Sequence, residues 1–171
     1  CGVKPGFMVG GIPIDYGRSF RLAEGDYFII EGDEYDTAFF DKVPKFIHYK
    51  PKFVILTSIE FDHADIYKDL DDVMKAFRML IERIPTDGIL IACADSENVM
   101  TLVREAKCKV VTYGTHAADY QVVEREMIDG RNHFAVQFQN NKIAAQRSCS
   151  WCLPVASQME LVVFPVPDPY R

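Results

Sequence analysis

The stretch "FVILTSIEFDHADIYKDL", residues 53–70, decides the fold. Its first four residues, Phe53 to Leu56, form an unbroken apolar run, the pattern of a short strand buried on both faces. Glu60, Asp62, His63 and Asp65 stand directly behind it. Packing gives no reason to crowd four ionisable groups at the end of a buried strand, so a positively charged partner is expected there.

Three more runs share that character: "YFIIE" (27–31), "GILIAC" (88–93) and "KVVTYG" (109–114). Between the second and third of the four strands, Ile66, Leu70, Val73, Phe77, Leu80 and Ile84 recur at steps of three and four, which predicts an amphipathic helix. "DSENVMTLVREA" then predicts a shorter helix, with Asp95 or Ser96 as N-cap. Strands alternating with helices imply right-handed crossovers and an α/β fold, a mostly parallel sheet flanked by helices. Past Gly114 the pattern alternates around "IDGRN", which predicts a small appended antiparallel hairpin. The expected organisation is one partial domain over residues 1–146 and an extended or weakly ordered tail over 147–171, where prolines are frequent.

Composition narrows the function classes. With 171 residues, 49% of them hydrophobic, the chain suits one domain with a real core. A net charge of -6 argues against nucleic acid and anionic membrane surfaces as partners, since both select clustered Lys and Arg. The apolar runs are far shorter than the roughly 20 residues of a membrane span, and the expected location is cytoplasmic. Five cysteines, an odd number without regular spacing, fit reduced thiols. "CSWC" (149–152) has no second pair to complete a zinc site and reads as chance spacing. The start at Cys1 suggests a processed form or a piece of a longer protein.

In open parallel sheets, ligands sit at the carboxyl ends of the strands. Three polar clusters follow three of the runs: Glu31, Asp33, Glu34 and Asp36; then Glu60 to Asp65; then "ADSEN" (94–98). Together they suit a divalent cation and a phosphate ester. The competing reading is that each cluster caps the helix that follows. His63, between Asp62 and Asp65, can be oriented by its neighbours as a ligand or base, whereas His48, His116 and His133 read as structural or solvated. No G-x-x-x-x-G-K-[ST] phosphate loop occurs, and "GFMVGG" (6–11), lacking its lysine and hydroxyl, reads as a tight turn.

"FRL", "EGDEYD", "AFFDK", "KF-x-HY-x-P" and "EFDHADI" occur in order, and "YG" follows at Tyr113 and Gly114. Over residues 5–138 the chain resembles the central, ATP-binding domain of the Mur ligases. Within them it is similar to the murein tripeptide ligase branch, because the alanine-adding branch shares the acidic and "DH" motifs but lacks the "AFFDKVPKFIHYKP" insertion.

That resemblance implies an ATP-dependent ligase joining UDP-N-acetylmuramate to a murein peptide through an acyl phosphate, in peptidoglycan recycling. ATP and Mg²⁺ are the implied cofactors, with nucleotide, UDP-sugar and peptide as substrates. It further implies that Glu31 and His63 are metal ligands, and that Asp62 either supports the metal shell or caps a helix. Arg78 stands near a lysine that is carbamylated in some members. Ser58 takes the place of an asparagine often found there. The phosphate loop and the domains for UDP-sugar and peptide are expected outside this chain, which alone is expected to be inactive and to contribute no catalytic residue. The strand that precedes the phosphate loop is then expected to be missing, leaving an apolar gap or an exposed edge, and "MELVVFPV" (159–166) is a candidate to cover it. Glu31 and His63 are expected to end neighbouring parallel strands and face one cavity. A non-catalytic interaction module, an alanine-adding type of ligase and a metal-dependent hydrolase remain as alternatives.

Overall fold

The computed structural model describes residues 4–38, 40–62, 64–129, 131–147 and 160–165. The strands, in chain order, are β1 (Gly6–Met8), β2 (Phe20–Arg21), β3 (Tyr27–Gly32), β4 (Asp36–Ala38), β5 (Asp41–Pro44), β6 (Phe53–Leu56), β7 (Ile89–Cys93), β8 (Lys109–Gly114), β9 (Tyr120–Ile128), β10 (Arg131–Phe138), β11 (Asn141–Arg147) and β12 (Glu160–Pro165). The helices are α1 (Leu70–Glu82) and α2 (Glu97–Val103), and a 3₁₀ turn spans Lys45–His48. Ten strands form one sheet in the order β11-β10-β9-β8-β7-β6-β12-β3-β1-β2, while β4 and β5 pair apart from it. The expected α/β class, mostly parallel with an antiparallel appendage, is what forms.

The strands β6, β7 and β8 are parallel, with Val54 beside Leu90 and Leu90 beside Val110. In the other half β1 runs parallel to β3. Between the halves lies β12, antiparallel to both β3 and β6. Two antiparallel steps restore direction, so β3 and β6 point the same way and end on the same rim. They are one strand apart, however, which corrects the expectation that they are neighbours. The physical reason is that "ELVVFP", apolar enough to sit in mid-sheet, pairs Leu161 to Val163 with β6 and Glu160 to Pro165 with β3.

Burial along the central strands alternates. Val54, Leu56, Leu90 and Ala92 are buried beneath the helices, whereas Phe53, Ile55, Ile89 and Ile91 are half-buried. The continuous apolar runs therefore cover one face fully and the other partly. On the covered face α1 contributes Val73, Ala76, Phe77, Leu80 and Ile81, each large side chain worth roughly 1.5–3 kcal/mol of burial. The helix starts at Leu70 rather than Ile66 because the Asp69 carboxylate caps it, accepting from the Asp72 amide at 3.0 Å. Ser96, not Asp95, caps α2.

The appended hairpin is a three-stranded meander, β9-β10-β11. Its turns fall at Asp129 and Gln139, with φ of 49° and 53°. Among the described residues no helix is long and apolar enough to cross a membrane.

Candidate functional site

The polar cluster behind β3 opens onto a cavity of about 410 Å³. Met8 to Gly10, from the end of β1, and Ile30 to Tyr35, from the end of β3 and its loop, line it together with Lys45 and Tyr49. The Glu31 carboxylate accepts a 2.6 Å hydrogen bond from the Gly10 amide through Oε2. A Cβ on Gly10 would lie 3.3 Å from that oxygen, so the glycine permits the close approach. Because its amide is engaged with Glu31, Gly10 supplies no phosphate cradle, as the lysine-free "GFMVGG" already suggests.

Asp33 organises the wall opposite. One oxygen accepts from the Tyr35 amide at 2.8 Å, an Asx-type turn, and the other takes Lys45 Nζ at 2.6 Å. The Lys45 amide also donates to the Tyr35 carbonyl at 3.1 Å, so Lys45 is tied to the acidic loop twice. The hydrogen bond it donates to Asp33 holds the Lys45 ammonium above its ordinary range. Beneath it Tyr49 is half-buried, and that burial, with the field of Asp33, pushes its phenol up and keeps it protonated. Phe46, wholly buried between these two residues in sequence, packs its ring in a tilted arrangement against Phe77 at 5.6 Å and anchors the 3₁₀ turn to the core.

The connection after β6 reaches the same rim. Tyr67 is buried, and its hydroxyl donates to the Glu34 carbonyl at 2.7 Å, joining the segment that carries Glu60 to Asp65 to the loop of β3. Burial, and then the fields of Asp65 and Asp62, push the Tyr35 phenol up, so the second acidic cluster acts on the first. Asp62 is exposed, and His63 lies outside the described residues. Among the described residues no three His, Cys, Asp or Glu side chains converge as a ready metal shell. Glu31, Asp33 and Glu34 offer hard oxygens at the cavity, and a carboxylate such as Glu31 fits Mg²⁺, an ion that takes one or two protein carboxylates and completes its shell with water and phosphate oxygens.

The third cluster behaves differently. Asp95 accepts from the Thr115 amide and hydroxyl at 2.8 and 2.9 Å and from His116 Nδ1 at 3.0 Å. Burial alone would raise its pKa, but these bonds outweigh it and bring the carboxyl to about 2. A Cβ on Gly114 would lie 2.8 Å from Asp95 Oδ1, so the glycine permits the carboxylate's close approach at this solvent-exposed junction. Asn98 donates to the Ile59 carbonyl at 2.7 Å. The "ADSEN" residues thus tie helix to strand and leave the ligand rim to the other two clusters. His116, exposed apart from this bond, fits its solvated reading. Arg78 pairs with Glu105 at 2.8 Å.

Sequence reasoning missed Lys45, Tyr49 and Gly10 at the cavity, and Tyr67, which bonds the Glu34 carbonyl. Lys45 and Tyr49 stand four apart in "KFIHY" with the core residue Phe46 between them, a spacing that could have marked a short turn with one polar face. The "CSWC" pair and Cys1 lie outside the described residues.

Comparison with known proteins agrees with this arrangement. Residues 16–149 match the model of the Mur ligase middle domain. The UDP-N-acetylmuramate--L-alanyl-gamma-D-glutamyl-meso-2,6-diaminoheptandioate ligase of Haemophilus influenzae is 40% identical over 144 residues, 84% of this chain and 31% of that protein. The Escherichia coli protein of the same name is 52% identical over 91 residues, 53% of this chain and 20% of its own length. This chain therefore spans less than a third of these relatives. The crystal structure of the corresponding diaminopimelate ligase from Neisseria meningitides superposes with a TM-score of 0.75 at 32% identity, covering 90% of this chain and 49% of that one. The UDP-N-acetylmuramate-alanine ligase of Thermotoga maritima, at 19% identity and a TM-score of 0.65 over 85% of this chain and 30% of that one, shares the fold. With the family's acidic and "DH" motifs in order along the chain and its middle-domain fold around them, this chain belongs to the Mur ligase family.

Proposed function

We propose that the chain supplies the acidic rim of an ATP-dependent ligase that joins UDP-N-acetylmuramate to a murein peptide through an acyl phosphate, in peptidoglycan recycling. The observation that supports it best is the cavity at the end of β3, where Glu31 is aimed by the Gly10 amide and the segment of the second acidic cluster is fastened alongside through Tyr67. The tripeptide branch is favoured over the alanine-adding one because the "AFFDKVPKFIHYKP" insertion forms part of the cavity wall.

In this reading Glu31 and His63 hold Mg²⁺, which when bound neutralises anionic oxygens of the nucleotide and of the carboxyl group to be activated. To serve as ligands, the carboxylate must be ionised and the imidazole neutral. Lys45 and Tyr49 shape the cavity wall and present donors to it. The chain has no phosphate loop of its own, so residues 1–146, as a partial central domain, do not turn over ATP alone, while β12 completes the sheet. On this reading the protein works in the cytoplasm, where ATP and nucleotide sugars are kept.

The test is a chimera of the Haemophilus influenzae relative in which this chain replaces the matching segment. ATP-dependent formation of the UDP-muramoyl peptide, lost on Glu31→Gln, is the expected result. A folded chimera whose ligation is unaffected by Glu31→Gln contradicts the reading, as does ATP turnover by the chain alone.

A further inference from the structure

The geometry points to Lys45 as the residue that fixes the carboxylate of a muramoyl sugar in the cavity behind β3, with Asp33 as its positioning residue; this rests on the ligase reading above. The cavity is lined by three carboxylate residues, Glu31, Asp33 and Glu34, and by one basic residue among the described lining, Lys45. Such a rim repels anions unless a cation is presented within contact distance. Lys45 is built for that. Asp33 takes Nζ at 2.6 Å and the Lys45 amide is bonded to the Tyr35 carbonyl at 3.1 Å, so backbone and ammonium are both held.

An ammonium carries three donors, and the bond to Asp33 uses one. The side chain is 41% exposed, which leaves the other donors room for a ligand oxygen. A compact point charge of this kind suits one carboxylate, while the surrounding negative charge disfavours a phosphoryl dianion. The anchor beneath is rigid, because Phe46 is fully buried against Phe77 at 5.6 Å. Lys45 and Tyr49 both come from the segment that the sequence marks as an insertion. The insertion is thereby tied to recognition of the acceptor sugar, a role no catalytic step assigns to it.

The experiment titrates N-acetylmuramate into the isotope-labelled chain and follows amide resonances by NMR, with N-acetylglucosamine, which lacks the carboxylate, as control. Saturable shifts at Asp33, Tyr35, Lys45 and Tyr49 are expected with the first sugar and not with the second. Lys45→Met should weaken binding about tenfold, the loss of one charge-assisted hydrogen bond, and Lys45→Arg should recover most of it. Because Lys45 is exposed, the Met variant should keep its dispersed spectrum; were it to unfold, the Arg variant and the carboxylate-free sugar still decide the matter. Unchanged affinity in Lys45→Met, or equal binding of the two sugars, overturns the inference while leaving the ligase reading to the chimera. No saturable binding of N-acetylmuramate by the unmodified chain overturns it as well.

Discussion

Two ends of one sheet carry the same sequence signal and use it differently. Behind β7, Asp95 follows a buried strand and is taken up by the protein itself, its oxygens bonded by Thr115 and His116 beside Gly114 although the residue remains solvent-exposed. Behind β3, Glu31, Asp33 and Glu34 follow an equally apolar strand but border a cavity of about 410 Å³. An acidic residue at a strand end therefore says little until the donors around it are counted. Where the chain supplies them all, the carboxylate is a fastener. Where a cavity remains, it can serve a ligand.

The largest effect that sharpens this contrast lies beneath the open rim. Phe46→Ala removes a fully buried ring from the contact with Phe77, so a loss of about 3–5 kcal/mol in denaturant unfolding is expected, together with release of Lys45 and Tyr49 from the cavity wall. A loss under about 1 kcal/mol would mean the wall stands on something else. At the rim behind β7, Asp95→Ala leaves the Thr115 amide and its neighbours without their acceptor and should cost about 1–2 kcal/mol, toward the low side because the junction is exposed. N-acetylmuramate binding should be unchanged by it. A substitution that spares stability and abolishes binding would reverse the roles of the two rims.

Acid should separate them more gently. The folded carboxyl of Asp95 is lowered to about 2, so its contribution is complete above the ordinary aspartate value near 4 and is lost as pH falls through about 2. Thermal melting of the unmodified chain and of Asp95→Asn between pH 6 and 2 should show a gap that narrows over that window. A constant gap would show that the Asn amide fails for a steric reason instead. The smallest stability effect belongs to Glu31→Gln, whose bond from Gly10 is solvent-exposed. A change within about 0.5 kcal/mol is expected. If Glu31 proved as costly to replace as Asp95, it too would be a fastener.

How much of this could be read in advance follows the range of the interactions. The strands from Tyr27, Phe53, Ile89 and Lys109 were legible because each is a local apolar run, and α1 because its buried positions repeat at helical spacing. Ile66 misled the helix start, since the Asp69 cap outweighs one apolar residue in register. The strand β11 was hidden by the polarity of "NKIAAQR", whereas β12 was legible as an apolar segment able to cover a gap or an edge, its place between β3 and β6 being set by partners more than a hundred residues away. The acidic rim was visible as composition, but Lys45 was not, because its meaning comes from Asp33, twelve residues earlier, across a fold the local pattern does not contain.

We propose that the rim behind β3 takes a divalent cation and that the rim behind β7 does not. Titration of substoichiometric Mn²⁺, a paramagnetic stand-in for Mg²⁺, into the isotope-labelled chain tests it directly through line broadening of individual amides. The account predicts broadening centred on Gly10 and Glu31 to Tyr35, extending to the segment that carries Asp62 and Asp65, with the amides of Asp95, Thr115 and His116 left sharp. Broadening centred on Asp95, or spread evenly over the acidic surface, would contradict it.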